Sequence, residues 1–180
     1  ANVAVTDTNA IILGASTVSG TYDVTAGGAI TDSGTQEITG VTTIAAGSGN
    51  DITLDTSTNN FAAAVVITSG NNVAITDEDA IDLGASTVSG TYDVTAGGAI
   101  TDSGTQEITG VTTIAAGSGN DITLDTSTNN FAAAVVITSG NNVAITDEDA
   151  IVLGASTVSG TYGITAAGAV TDTGALAITG

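Results

Sequence analysis

Apolar and polar residues alternate in short runs along the chain, as in Val73/Ile75, Ile81/Leu83, Ile122/Leu124 and Phe131/Ala133/Val135/Ile137. Period two is the pattern of a β-strand with one buried face. Between the runs stand Gly, Asn, Asp and Ser, which allow positive φ or bond their own backbone in turns. Helix is disfavoured, because Gly interrupts every long window and β-branched Thr, Val and Ile fill the gaps. The alanine-rich stretch 61–66 is too short to hold a helix alone.

The runs are organised by repetition. Residues 51–80 recur unchanged at 121–150, and 14–50 recur at 84–120, so the unit is 70 residues long. One full copy occupies 51–120, with partial copies at 1–50 and 121–180. Divergence is confined to the outer parts: Val5 stands where the next copy has Ile75, Ile12 where it has Asp82, and Gly163, Ala167 and 175–177 also depart. Gly closes a segment at positions 20, 40, 70, 90, 110, 140, 160 and 180, giving segments of 20, 30 and 20 residues per unit.

This rhythm predicts an all-β fold, a right-handed parallel β-solenoid (β-helix) of about 20-residue coils stacked about 4.8 Å apart. Three short strands per coil would point their apolar side chains inward. Eight segments, one coil each, would give a rod about 38 Å long. The longer segment, one per 70-residue unit, is either a coil with a loop bulging near 57–60 or a coil and a half. Because a coil needs neighbours to complete its ladders and cover its apolar face, 1–180 is expected to form one continuous solenoid. Thr is expected on outward strand positions, and the pairs Asn59-Asn60 and Asn71-Asn72 as amide ladders at corners or as plain solvated surface. Tyr22, Tyr92 and Tyr162, one per unit, are expected to be packing or edge-covering residues.

Composition narrows the function. The chain has 19 acidic residues and no Lys, Arg or His, a net charge of −19, and it lacks Pro, Cys, Met and Trp. Without cations it cannot neutralise phosphates, so nucleic acid and anionic membrane surfaces are excluded as partners. It offers no disulfide and no thiolate or imidazole for a transition metal, and no apolar run is long enough to insert across a bilayer. With no Met, the sequence is expected to be a segment or a processed product. Catalytic schemes built on His, Cys or Lys are unavailable. Paired carboxylates such as Asp77 and Asp79, roughly 7 Å apart along a strand, remain, but sugar clefts also need aromatic platforms. The expectation is a chain without catalytic residues, enzymatic activity or an organic cofactor.

Calcium is the one cofactor that the residues could suggest. Stretches 46–54 and 116–124 approach the calcium-binding nonapeptide G-G-x-G-x-D-x-U-x, but Ala46 and Thr53 break it and it occurs once per unit. The densest acidic clusters are Asp77-Glu78-Asp79 with Asp82, and Asp147-Glu148-Asp149. They are the candidate Ca²⁺ ligands, the alternative being solvated acidic corners, since such an ion takes six or more oxygens. With one unit between them, the clusters are expected about 14 Å apart along the rod.

The run GSGNDITLDTSTNNF, followed by VVITSGNNVAITD, DLGASTVSG and VTAGGAITDSG, resembles the repeats of very large bacterial surface and secreted proteins. These are the filamentous-haemagglutinin-like adhesins and related β-strand-repeat exoproteins. The resemblance implies export, a right-handed β-helix, and a stalk or fibre role in adhesion or biofilm. Together these readings give a structural repeat region of an extracellular filament at the cell surface. It would supply length, stiffness and an anionic surface without trypsin sites or oxidisable sulfur, with its own copies as partner. The alternatives are a Ca²⁺-dependent module that binds surfaces, glycans or ice through a Thr-rich face, or a functional amyloid subunit.

Overall fold

A short run with one apolar face can bury it only against other such runs, and the chain does so by winding over itself. The computed structural model describes all 180 residues, as 25 strands joined by turns, with no helix. Every strand pairing is parallel, as in Val3–Asp7 on Tyr22–Ala26 or Ile11–Leu13 on Ile30–Asp32. Two long faces run the full length of the rod, each a path of nine strands. The first goes from Val3–Asp7 to Tyr162–Ala166, the second from Ile11–Leu13 to Val170–Asp172. Nine turns of about 4.8 Å make a rod about 43 Å long, one turn more than a count of Gly-closed segments suggests.

The extra turn comes from the long segments, which are each a coil and a half. Val3, Val73 and Val143 are equivalent positions of the repeat. Val3 and Val143 nevertheless lie on the first face, and Val73 lies on the second. Starting at Val3, the chain crosses the first face again at Tyr22, Thr42 and Val65, three full turns, and reaches the second face at Val73 half a turn later. One repeat is therefore three and a half turns, and successive copies are related by a half rotation about the rod axis.

Shorter strands close the narrow edges. Ser16–Val18, Gln36–Ile38 and Asn60–Phe61 stack on one edge. Their repeat equivalents, Ser86–Val88 at the end of Ile81–Val88, then Gln106–Ile108 and Asn130–Phe131, stack on the opposite edge.

Inside lies one cluster of 36 buried apolar residues. The inward positions expected within 71–140 are buried, except Ala133, which is only partly so. The strand stops at Phe131 and resumes at Ala134, so the alternation breaks between them. Tyr22 and Tyr92 are buried packing residues and Tyr162 is half-buried. Thr does not keep to the surface: Thr42 and Thr112 are buried, each one pleat from an inward Ile44 or Ile114. Two glycines show what the corners demand. Gly47 has φ of +85°, and a Cβ on Gly110 would collide with the carbonyl of Gly90 in the coil beneath.

Candidate functional site

The acidic corners are built from strand phase. In Val73–Asp77 the side chains alternate, so Asp77 points inward with Val73 and Ile75, and it is 1% exposed. Its Oδ2 accepts the Phe61 N–H of the neighbouring coil at 2.8 Å, and its Oδ1 accepts the Asp79 N–H at 2.8 Å. Asp147 is buried likewise and accepts from Phe131 at 3.0 Å and Asp149 at 2.8 Å. Burial holds the Asp77 carboxyl above its ordinary range. The Phe61 and Asp79 N–H groups pull it down, and the charges of Asp79 and Glu78 add a further upward push.

Their neighbours behave differently. Glu78, Asp79, Glu148 and Asp149 are exposed, and Asn60 Nδ2 lies 3.4 Å from Glu78 Oε1 and 3.3 Å from Asp79 Oδ2. Asp82 is half-buried and accepts the Ser103 hydroxyl at 2.8 Å, while its other oxygen is buried without a partner. No group of three or more acidic side chains comes together in a metal-holding arrangement. Nor do the two clusters lie along one face. The Asp77 corner sits beside Asn59–Phe61 on one edge, and the Asp147 corner beside Asn129–Phe131 on the other. The half rotation between copies replaces the expected axial spacing of about 14 Å with placement on opposite sides.

A second polar assembly joins buried amides to a half-buried carboxylate. Asn129 Oδ1 accepts the Gln106 N–H at 2.9 Å, and its Nδ2 donates to Asp102 Oδ2 at 2.6 Å and to the Leu124 carbonyl at 3.3 Å. Its main-chain carbonyl accepts the Glu148 N–H at 2.7 Å, so one side chain and its backbone tie three successive coils. Gln106 Nε2 donates to the Gly84 and Gly104 carbonyls, both at 2.8 Å. Asp102 is raised by burial against the pull of Asn129, Thr126 and Asp125. Asp32, Gln36 and Asn59 repeat this arrangement on the opposite edge, with Asn59 bonded to Gln36 at 2.8 Å and to Asp32 at 2.6 Å.

A profile for repeats of unknown function, DUF5649, matches residues 1–68, 70–138 and 140–180, nearly the whole chain and at the 70-residue period. The chain belongs to the DUF5649 repeat family. No curated protein and no solved structure matches it.

The surface of the DUF5649 repeat carries one further corner. Where the sequence approaches the calcium nonapeptide, Asp51 Oδ1 accepts from Asn71 Nδ2 at 3.0 Å and from Asn72 N and Nδ2, both at 3.1 Å. Asn72 Oδ1 in turn accepts the Thr91 N–H at 3.1 Å. The expected Asn–Asn ladder is thus an Asp–Asn–Thr ladder over three coils. In the next copy Asp121 plays the part of Asp51, and the Asn142 N–H, followed by the Asn142 and Asn141 amides, holds its carboxyl below the ordinary range. Beside the first of these corners lies one shallow depression, lined by Asp51, Thr53, Asn72, Ala74, Thr91 and Asp93. Its polar groups are carboxylates, amides and hydroxyls.

The Thr positions do not merge into one continuous plane. The outward column on the second face reads Thr31, Thr53, Ala74, Asp93, Thr113 and Val136. Sequence reading missed the inward polar residues altogether, although the signal was present. Gln106 is in phase with Ile108, Thr112 with Ile114, and Asp77 with Ile75.

Proposed function

We propose that this DUF5649 segment is a passive structural element: a stiff, anionic stalk within an extracellular bacterial fibre or adhesin. The observation that carries this reading is the pair of parallel faces running unbroken through nine turns, with one core and coil-to-coil polar ties. Parallel ladders along the axis resist extension and bending together, because bending must distort every stacked coil on one side. Exposed carboxylates around the rod, with no cation anywhere in the side chains, favour repulsion between neighbouring rods over nonspecific adhesion. The likeness to filamentous-haemagglutinin-type repeats supports placement outside the cell.

The test is to insert whole 70-residue units and image the products, with antibody labelling of intact producing cells alongside. Each unit should lengthen the rod by about 17 Å, three and a half layers of about 4.8 Å, at constant width, and the label should reach intact cells. Beads of constant size on a string would overturn the stalk, and label confined to broken cells would overturn the location.

A further inference from the structure

We infer that the depression between Asp51 and Asp93 is a seat for the guanidinium group of an arginine on a partner protein. Register makes the seat. Thr53, Ala74 and Asp93 stand one above another on the outward side of the second face. The ladder of Asp51, Asn72 and Thr91 runs beside them at the corner. Ala74 is the shortest side chain of the two columns, so the surface dips over it, and the dip encloses about 80 Å³. Pockets for whole organic ligands begin at about 300 Å³. This one has room for a functional group only.

The lining sets the chemistry. The donors of the corner are already used: the Asn71 amide and the Asn72 N–H and amide all go to Asp51 Oδ1. The Thr91 N–H and hydroxyl go to Asn72 Oδ1. That leaves Asp51 Oδ2 and the exposed Asp93 carboxylate without a donor from the protein. Surplus acceptor oxygens with two negative charges are complemented by a cation that carries N–H groups. The chain has no Lys or Arg, so that side chain comes from another protein and not from a second copy.

Geometry separates the cations. Asp51 and Asp93 belong to coils two layers apart, about 9.6 Å along the rod, on opposite sides of the dip. A planar guanidinium has N–H donors on more than one edge, so it can lie flat on the Ala74 methyl and reach both sides. An ammonium is a compact point charge suited to one carboxylate at a time. Ca²⁺ takes six or more oxygens, and no three acidic side chains converge here. Free arginine would bring its own carboxylate to a rod of net charge −19, whereas an arginine within a peptide would not. The next copy supplies a control. Asp121, Thr123, Asn142, Ala144 and Thr161 repeat the lining on the first face, but Gly163 stands where Asp93 would, and the depression is missing there.

The test is a two-dimensional NMR titration of the full chain at low salt with Nα-acetyl-arginine N-methylamide. The lysine analogue, free arginine and calcium chloride form separate arms. The capped arginine should shift the amides of 51–53, 72–74 and 91–93, with a dissociation constant on the order of 1 mM because exposed ion pairs are weak. It should bind about threefold or more tighter than the lysine analogue or free arginine. Asp93→Gly, which copies the next unit, should weaken it about fivefold. Gly163→Asp should create a second set of shifts at 121–123, 142–144 and 161–163. A Cβ at 163 meets nothing closer than 3.7 Å, so that variant is expected to fold. Shifts spread evenly over every acidic coil, equal binding of the arginine and lysine analogues, or indifference to Asp93→Gly would overturn the inference. So would calcium shifting the same amides at lower concentration, and tighter binding of free arginine would overturn the protein source. None of these results touches the stalk reading, which stands or falls on rod length and location.

Discussion

The rod holds carboxylates in two settings that sequence alone makes look alike. Asp121 sits on an outer corner, where amide donors from Asn141 and Asn142 lower its proton affinity. Asp77 and Asp102 face inward, where burial raises theirs even though N–H groups bond them too. The difference lies in water. At the outer corner the protein's donors add to solvation, whereas inside they replace it incompletely. Inward carboxylates and amides therefore act as ties between coils, and outer ones chiefly set the surface charge.

The sharpest way to break this distinction is to remove the amide that the inner ties share. Asn129→Ala removes the acceptor for Gln106 and the donors to Asp102 and Leu124. With the Gln106 N–H and the Leu124 carbonyl buried and Asp102 half-buried, the cost should be roughly 2–4 kcal/mol, as a drop in the denaturant midpoint. Because each coil contacts only its neighbours, hydrogen exchange should accelerate around 102–148 and stay slow around Asn59, the untouched copy. A uniform loss of protection over the whole rod would contradict local ties.

Next in size is Asp77→Ala, which leaves the Phe61 N–H without an acceptor in the interior. An unpaired buried donor costs about 1–3 kcal/mol. Asp77→Asn retains an acceptor oxygen and should recover part of the loss. Equal losses from the two substitutions would show that the charge, and not the N–H capping, is what matters at this corner.

These inner ties were half legible. The 70-residue period, the Gly-closed coils and the apolar columns through Ile75, Ile114 and Ile137 follow from period two and repetition. The half rotation does not, because Gly marks segment ends regardless of how many turns a segment makes, so 111–140 reads equally well as a looped coil. Asp77, Gln106 and Thr112 are hard to read as inward for a different reason. Their phase points inward, but residue type points outward, and type prevailed because a polar core residue is tolerated only where a partner from another coil meets it. Such partners, Phe61 for Asp77 and Asn129 for Gln106, lie 16 and 23 residues away and become visible only once the register is known.

A smaller effect should appear in pH dependence. Asp77 and Asp102 have folded-state proton affinities raised above the unfolded value of 3.8. The folded chain therefore takes up their protons first as pH falls. Their contribution to stability grows as pH drops through the raised folded values, is complete below about 3.8, and is lost again as pH rises. The groups facing them are Asp79 and Glu78 at one site, and Asn129, Thr126 and Asp125 at the other, with no cation to reverse the sign. Urea midpoints should thus rise from pH 7 towards pH 4, opposite to a protein held by ion pairs. Asp77→Asn/Asp102→Asn should flatten that rise, and a midpoint that falls over the same range would refute it.

The smallest effect is expected at the outer corner. Asp121→Ala leaves the Asn141 amide and the Asn142 donors facing solvent, where water replaces the lost acceptor. Its pH dependence has the opposite sign. The lowered proton affinity of Asp121 favours the folded state above about 3.8, a contribution lost as pH falls through the still lower folded value. The variant should therefore lower the melting temperature less than Asp77→Ala does at pH 7, and the gap between variant and parent should close in acid. If Asp121→Ala matched Asp77→Ala in size, the outer ladder through Asn142 and Thr161 would be a tie between coils on the same footing as the inner ones. The division between inner ties and outer charge would then have to be abandoned.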